Sequence, residues 1–204
     1  MSGARLFEVF QQDLKFHLKR PLLWVLLLLL AFLTYSLSMG HAQIGSGDAR
    51  VGGHKAFINS EFALTQLFIF LSSLIYVFFV SVAAGMSMIR DDEHKVGELL
   101  HSTPLQPGEY VWGKFLAVFV AFVAVLAVHL GMAMTCNHLL PHGTNADYIG
   151  PFHLMSYIRP ALVFMVPTLI LFCGTCFAIG GLTRKPVLVF FLPIAVIIVG
   201  VFFL

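Results

Sequence analysis

Charge is what this chain has least of. Asp, Glu, Lys and Arg together make up 11% of its 204 residues, against about a quarter in soluble globular domains. With 59% hydrophobic residues, 21 Phe and a mean hydropathy of +0.91, a soluble body is excluded and a polytopic membrane protein is left. Runs of Lys and Arg interleaved with aromatics are also missing, so the net charge of +2 points to no nucleic-acid partner. Cysteine is scarce: Cys136, Cys173 and Cys176 lie in or at the edge of apolar runs and suggest no secreted disulfide framework. A cleavable leader is absent as well, because the first apolar run starts only at Pro21, is long enough to span and lacks a small-residue cleavage site behind it. It reads as a retained anchor.

A complete phosphate-binding loop is the last absence. GEYVWGKF (108–115) matches G-x-x-x-x-G-K, but Phe115 stands where Ser or Thr must hold magnesium, and Pro104 and Pro107 precede it in place of a buried strand. The segment reads instead as a turn leading into a span whose end is anchored by Trp112 and Lys114. The chain is therefore expected to carry no nucleotide site and no cofactor of its own.

What is present has the order of an all-α membrane protein with one transmembrane domain over 1–204. Residues 4–20 place Leu6, Phe10, Leu14 and Leu18 at helical spacing, with Gln11, Gln12, Lys15 and Lys19 turned elsewhere, which suits an amphipathic helix in the headgroup plane of the lipid bilayer. Five spans are predicted, at about 21–40, 62–89, 115–136, 160–182 and 187–204, each near the roughly 20 residues that cross the hydrocarbon. The second, about 42 Å long as a helix, is expected to tilt or project. Pro167 and Pro193 are candidate kinks. Small residues at helical spacing, Ser81 with Gly85 and Ala117 with Ala121, permit close helix contact, and the Cys173/Cys176 pair reads the same way. With the N-terminus inside, Arg5, Lys15, Lys19, Arg20, Arg90, Lys95, Lys114, Arg184 and Lys185 are cytoplasmic and only Arg50, Lys55 and Arg159 external, which fixes the orientation. The glycine-rich external loop 41–61 is expected to be flexible and to hold no site.

Between the second and third spans lies the polar interlude RDDEHKVGELLHSTPLQPGEYVWGK (90–114). Burying Arg90, Asp91, Asp92, Glu93 and Lys95 at mid-bilayer would cost roughly 2.5–3.5 kcal/mol each, so the segment leaves the membrane on the cytoplasmic side. Consecutive acids point around a helix and do not converge on one ion, so Asp91, Asp92, Glu93 and His94 read as a solvated helix start complementing the dipole. Val96, Leu99 and Leu100 then form a short apolar face, Gly97 allows close approach, and Pro104 ends the helix. A small amphipathic helix with an apolar side to offer a partner results.

The run EHKVGELLHSTPL (93–105) followed by YVWGK (110–114) resembles the cytoplasmic signature of type-2 ABC exporter permeases: Glu, a few residues, Gly-Thr/Glu-Leu-Leu, a small polar pair, Pro, then a hydrophobic-Gly-Lys lead into the third span. Gly97 is followed directly by Glu98, a small departure from the frequent Thr-Leu. The resemblance extends over essentially the whole chain, with an elbow helix, a first span, an external loop and a long second span in the same order. Family permeases normally have six spans, so this chain, which stops at Leu204 inside its fifth apolar run, reads as one cut short. The resemblance implies a plasma (bacterial inner) membrane subunit with its N-terminus in the cytoplasm, working with a separate ABC ATPase that carries ATP-Mg, and with a second permease. It implies that Glu93, Gly97, Glu98, Leu99 and Leu100 belong to the coupling helix docking on that ATPase, and Pro104, Gly113 and Lys114 to its exit.

Two rivals stand beside it. A non-catalytic assembly or anchor protein needs no ATPase. An intramembrane enzyme needs a nucleophile, base or metal within the spans, where His129 has no acidic companion. His129, Met132 and Cys136, at i, i+3 and i+7, could pass a copper ion, although gap-filling methionine and a hydrogen-bonded histidine are the commoner reason for such residues. External His138, His142 and His153 could bind zinc only if the loop folds them together. The substrate is not legible.

Overall fold

The computed structural model describes residues 3–39, 41, 44–46, 49–51, 57–93, 105–141 and 149–203. Helix α1 (Gly3–Lys19) ends where Pro21 forces Arg20 into an extended conformation, φ −72° and ψ 139°, and Pro21 then opens α2 (Pro21–Ser38) as its first helical residue. Trp24 Nε1 donates to the Leu18 carbonyl at 3.0 Å, which takes up one of the free carbonyls of α1 and fixes the corner. In the segment that follows, Ile44–Ser46 and Ala49–Val51 pair as a small antiparallel hairpin, Ile44 opposite Val51, within the loop expected to be flexible.

Ser60 caps α3 (Glu61–Leu71), its hydroxyl accepting from Ala63 N–H at 3.2 Å. A π turn at Ser72–Tyr76 joins α3 to α4 (Val77–Glu93), where the hydroxyls of Ser72 and Ser73 donate back to the Ile69 carbonyl. Helix α5 (Pro107–His138) is 32 residues long and starts in a capping box: Gln106 N–H donates to Glu109 Oε2 at 3.2 Å. GEYVWGKF is thus the first turns of a long helix. Next come α6 (Leu154–Pro160), a π turn at Ala161–Met165 and α7 (Val166–Thr183). The π turn lies just before Pro167 and accommodates its missing N–H, so the irregularity expected at that proline is a wider turn one step upstream. Arg184, in the left-handed region at φ 54°, reverses the chain into α8 (Pro186–Phe203).

Four stretches are long and apolar enough to cross a membrane: Pro21–Ser38, Glu61–Asp91, Pro107–His138 and Leu154–Thr183. Beyond them α8, Pro186–Phe203, covers the segment expected as the fifth span over 187–204, and its described part Pro186–Ala195 is a shorter apolar helix. The observed spans run several residues past the predicted limits at both ends of the polar interlude, because helical hydrogen bonding continues through Arg90 and Asp91 and resumes at Pro107.

In lipid there is no hydrophobic gain from pairing apolar helices, so backbone closeness and polar ties hold them. At Gly180 an added Cβ would lie 2.6 Å from the Gly85 carbonyl oxygen and 2.9 Å from its Cα: α4 and α7 meet backbone to backbone. Val189 of α8 closes over the other side of Gly85. Ala117, Ala121, Cys173 and Cys176 are fully buried in the same core, with both cysteines free. Deeper among the spans, His129 of α5 is fully buried, its Nε2 3.0 Å from Thr34 Oγ1 of α2 and its Nδ1 3.1 Å from Tyr76 OH in the π turn. At the far end the Asn59 amide bonds Gly150 N–H at 2.8 Å and the carbonyls of Gly150 and Pro151, while Asn137 and His138 both reach Tyr157 OH. Replacing Gly180 by Val is expected to wedge α4 from α7 and cost about 1–3 kcal/mol or more, read as a lowered thermal unfolding midpoint in detergent; an unshifted midpoint would contradict the backbone contact.

Candidate functional site

The buried face of α1 is polar. Asp13 and His17, one turn apart, are 7% and 1% exposed, whereas Leu18, expected on the apolar face, is 45% exposed. Helix α1 lies along the start of α5, where Gly113 makes the approach possible: a Cβ there would stand 2.9 Å from Val9 Cβ and 3.1 Å from the Leu6 carbonyl. That contact aims Asp13 at the ends of α4 and α5. Lys114 Nζ lies 3.6 Å from Asp13 Oδ1 and donates to the Ser87 carbonyl at 3.0 Å. It also pairs with Asp91. Arg90 places Nη2 3.6 Å from Asp13 Oδ1 and Nε 3.7 Å from Asp91 Oδ1. Ser87 Oγ donates to Asp13 Oδ2 at 3.3 Å, His17 Nε2 is 3.3 Å from the same oxygen, and Tyr110 OH donates to Asp91.

The cluster is electrostatically closed. Burial opposes the charge on Asp13, but the His17 imidazole, Lys114 and Arg90 together outweigh it and hold the carboxyl below the usual carboxylate range. Isolated, either buried cation would be costly; gathered round shared carboxylates, each has its counter-charge, and Lys114 has in addition its bond to Ser87.

The residues singled out from sequence are distributed unevenly over this geometry. Glu93 closes α4, with its side chain outside the described residues, and Gly97, Glu98, Leu99, Leu100 and Pro104 lie outside them altogether. Gly113 and Lys114 are brought together, facing α1 and not solvent. Lys114 is therefore no headgroup anchor; Trp112, 54% exposed beside it, can fill that role. Likewise Asp91 is a paired residue at a helix end, not a solvated acid at a helix start. Asp13, His17, Ser87 and Tyr110 escaped the sequence reading. The one available signal was an acid and a histidine four apart, within about 20° of Leu6 on the helix and so on its apolar side. Among the span candidates, His129 has both ring nitrogens within bonding distance of hydroxyls, while Met132 and Cys136 sit on an adjoining, less buried face of α5. No group of three His, Cys, Asp or Glu suited to a metal ion occurs among the described residues.

A segment rooted at both ends in one ionic knot, between long apolar helices, is an architecture that sequence comparison can place. Residues 52–204, well over half of the chain, match the profile of the ABC-2 family transporter proteins. The chain belongs to the ABC-2 transporter family. It is thus a membrane component of an ABC transporter, and such ABC-2 permeases generally work with an ABC ATPase partner. The matched region starts after α2, so α1 and Asp13 lie outside it, while Arg90, Asp91 and Lys114 lie inside. Among curated proteins no sequence match is found.

Asp13→Asn in this ABC-2 protein leaves Lys114 and Arg90 short of one counter-charge, and a loss of about 3–5 kcal/mol is expected, measured by thermal or denaturant unfolding in detergent. Because the folded carboxyl titrates below its ordinary value of 3.8, its contribution is complete above that value and is lost as pH falls through the lower folded one. Unfolding midpoints recorded across the acid range should therefore drop in the wild type and flatten in Asp13→Asn; parallel curves would refute the pairing.

Proposed function

We propose that the chain is the membrane-spanning subunit of an ATP-driven exporter, a single permease domain over 1–204 whose segment 90–114 receives the stroke of a separate ABC ATPase. The ATPase binds ATP-Mg; the permease binds no cofactor. Glu93, Gly97, Glu98, Leu99 and Leu100 form the docking helix, and Pro104, Gly113 and Lys114 its exit into α5. A second permease, identical or related, completes the path, and the pair sits in the plasma (bacterial inner) membrane with α1 on the cytoplasmic side.

The observation that carries this reading is the anchoring of the segment. Arg90 and Asp91 at the end of α4, and Lys114 near the start of α5, are tied to each other and to Asp13 of α1. A push on the intervening residues cannot be absorbed by one helix end alone, because charged contacts within 4 Å make α1, α4 and α5 respond together. The excess of basic residues in the segments on that side supports the cytoplasmic placement, and family membership supports the partner.

Gly97→Trp is expected to leave membrane insertion intact and to uncouple transport from ATP hydrolysis, and Glu93→Ala to weaken retention of the ATPase on co-purification. Export in vesicles at wild-type rates from Gly97→Trp would reject the docking role, as would labelling of an introduced cysteine at position 109 from the external face only.

A further inference from the structure

The ionic knot leaves one cation over. Asp13 and Asp91 face Arg90 and Lys114, and beside them Arg20 reaches no carboxylate within ion-pair distance among the described residues. Instead its guanidinium carbon sits 4.4 Å from the centre of the Phe16 ring, and that of Arg90 sits 3.7 Å from the same centre. Two like charges thus lie against one ring. Burial, and then the charge of Arg90, lower the basicity of Arg20, and Nη1 of Arg90 is buried without a hydrogen-bond partner. Directly after Arg20 the first turn of α2 has no side-chain cap, so its N–H groups add a further positive end at the same place.

We propose that Arg20 and Arg90, both against the Phe16 ring at the uncapped start of α2, hold the phosphate of an anionic phospholipid headgroup.

Guanidinium forks match phosphate oxygens, helix N-termini favour anions, and basic pockets beside transmembrane helices suit acidic lipids. Inorganic phosphate presents the same chemistry, but position favours the lipid. Arg20 stands at the corner where an amphipathic helix turns into a span, which is headgroup depth. Trp24, Leu28 and Phe32, following it at four-residue spacing, are 64%, 73% and 65% exposed and give an apolar strip along which an acyl chain can lie. The assignment does not depend on ATP coupling or on the docking role of residues 93–104.

The test is native mass spectrometry of the full chain in detergent, titrated with equimolar phosphatidylglycerol and phosphatidylcholine. The wild type should favour phosphatidylglycerol about fivefold more than Arg20→Gln does, the increment one basic side chain gives near an anionic surface. Arg20→Lys, keeping the charge without the fork, should fall between them. Arg159→Gln removes the same charge from an exposed pair with Glu61 at the opposite end and should keep the wild-type preference. Equal preference in wild type, Arg20→Gln and Arg20→Lys overturns the site, and so does an equal loss in Arg159→Gln, which would mean that net charge alone decides. Excess inorganic phosphate should leave the bound lipid in place; its displacement by phosphate overturns the lipid assignment in favour of a soluble anion.

Discussion

One carboxylate organises the end of this protein where α1 meets α4 and α5. Asp13 meets Lys114 and Arg90 within 3.6 Å while Ser87 and His17 satisfy its second oxygen. Each of these groups taken alone would be expensive to bury, and each is affordable only because the others are there. The consequence is cooperative placement: α1 cannot dock on α5 without delivering its acid, and α5 cannot bury Lys114 without receiving it. Gly113, whose missing Cβ lets Val9 and the Leu6 carbonyl come close, is the steric condition for that electrostatic contact.

The same logic recurs, without charge, in the middle of the spans. Thr34, Tyr76 and His129 come from three different helical segments and meet at 3.0–3.1 Å so that both ring nitrogens of the imidazole are partnered, with Phe68 edge-on to it at 5.9 Å. Where lipid tails offer nothing in exchange for an unpaired polar atom, such a triad sets which faces of α2 and α5 meet the π turn. That turn earns its place by adding a residue to the helix and so bringing Tyr76 round to His129.

The long apolar helices, and a helix before the first of them, were legible in the sequence because hydropathy and helical periodicity are strong signals. What lay between these elements was less so. Asp13 and His17 went unread, although helical periodicity sets them beside Leu6 on the apolar side of α1; only the arrival of Lys114 and Arg90, 101 and 77 positions away in the chain, makes an inward-facing acid favourable. Lys114 misled in the opposite sense, because a lysine at a span end is ordinarily a surface anchor. Gly85 could be suspected as a contact residue from its spacing to Ser81, but its true counterpart, Gly180, is unrecognisable without the fold. The π turn at Ala161–Met165 was signalled by Pro167, although the bend was placed at the proline itself.

The meeting of Gly85 and Gly180 also restricts how the bundle can move. With main chain against main chain, no layer of side chains lies between α4 and α7 to be compressed or re-packed, and Val189 closes the reverse side. These helices can swivel about that crossing or slide by small steps, but they cannot part there without opening a void in the hydrocarbon. Displacement applied at one tip of α4 is therefore returned, with reversed sense, at the other, as in a lever on its fulcrum.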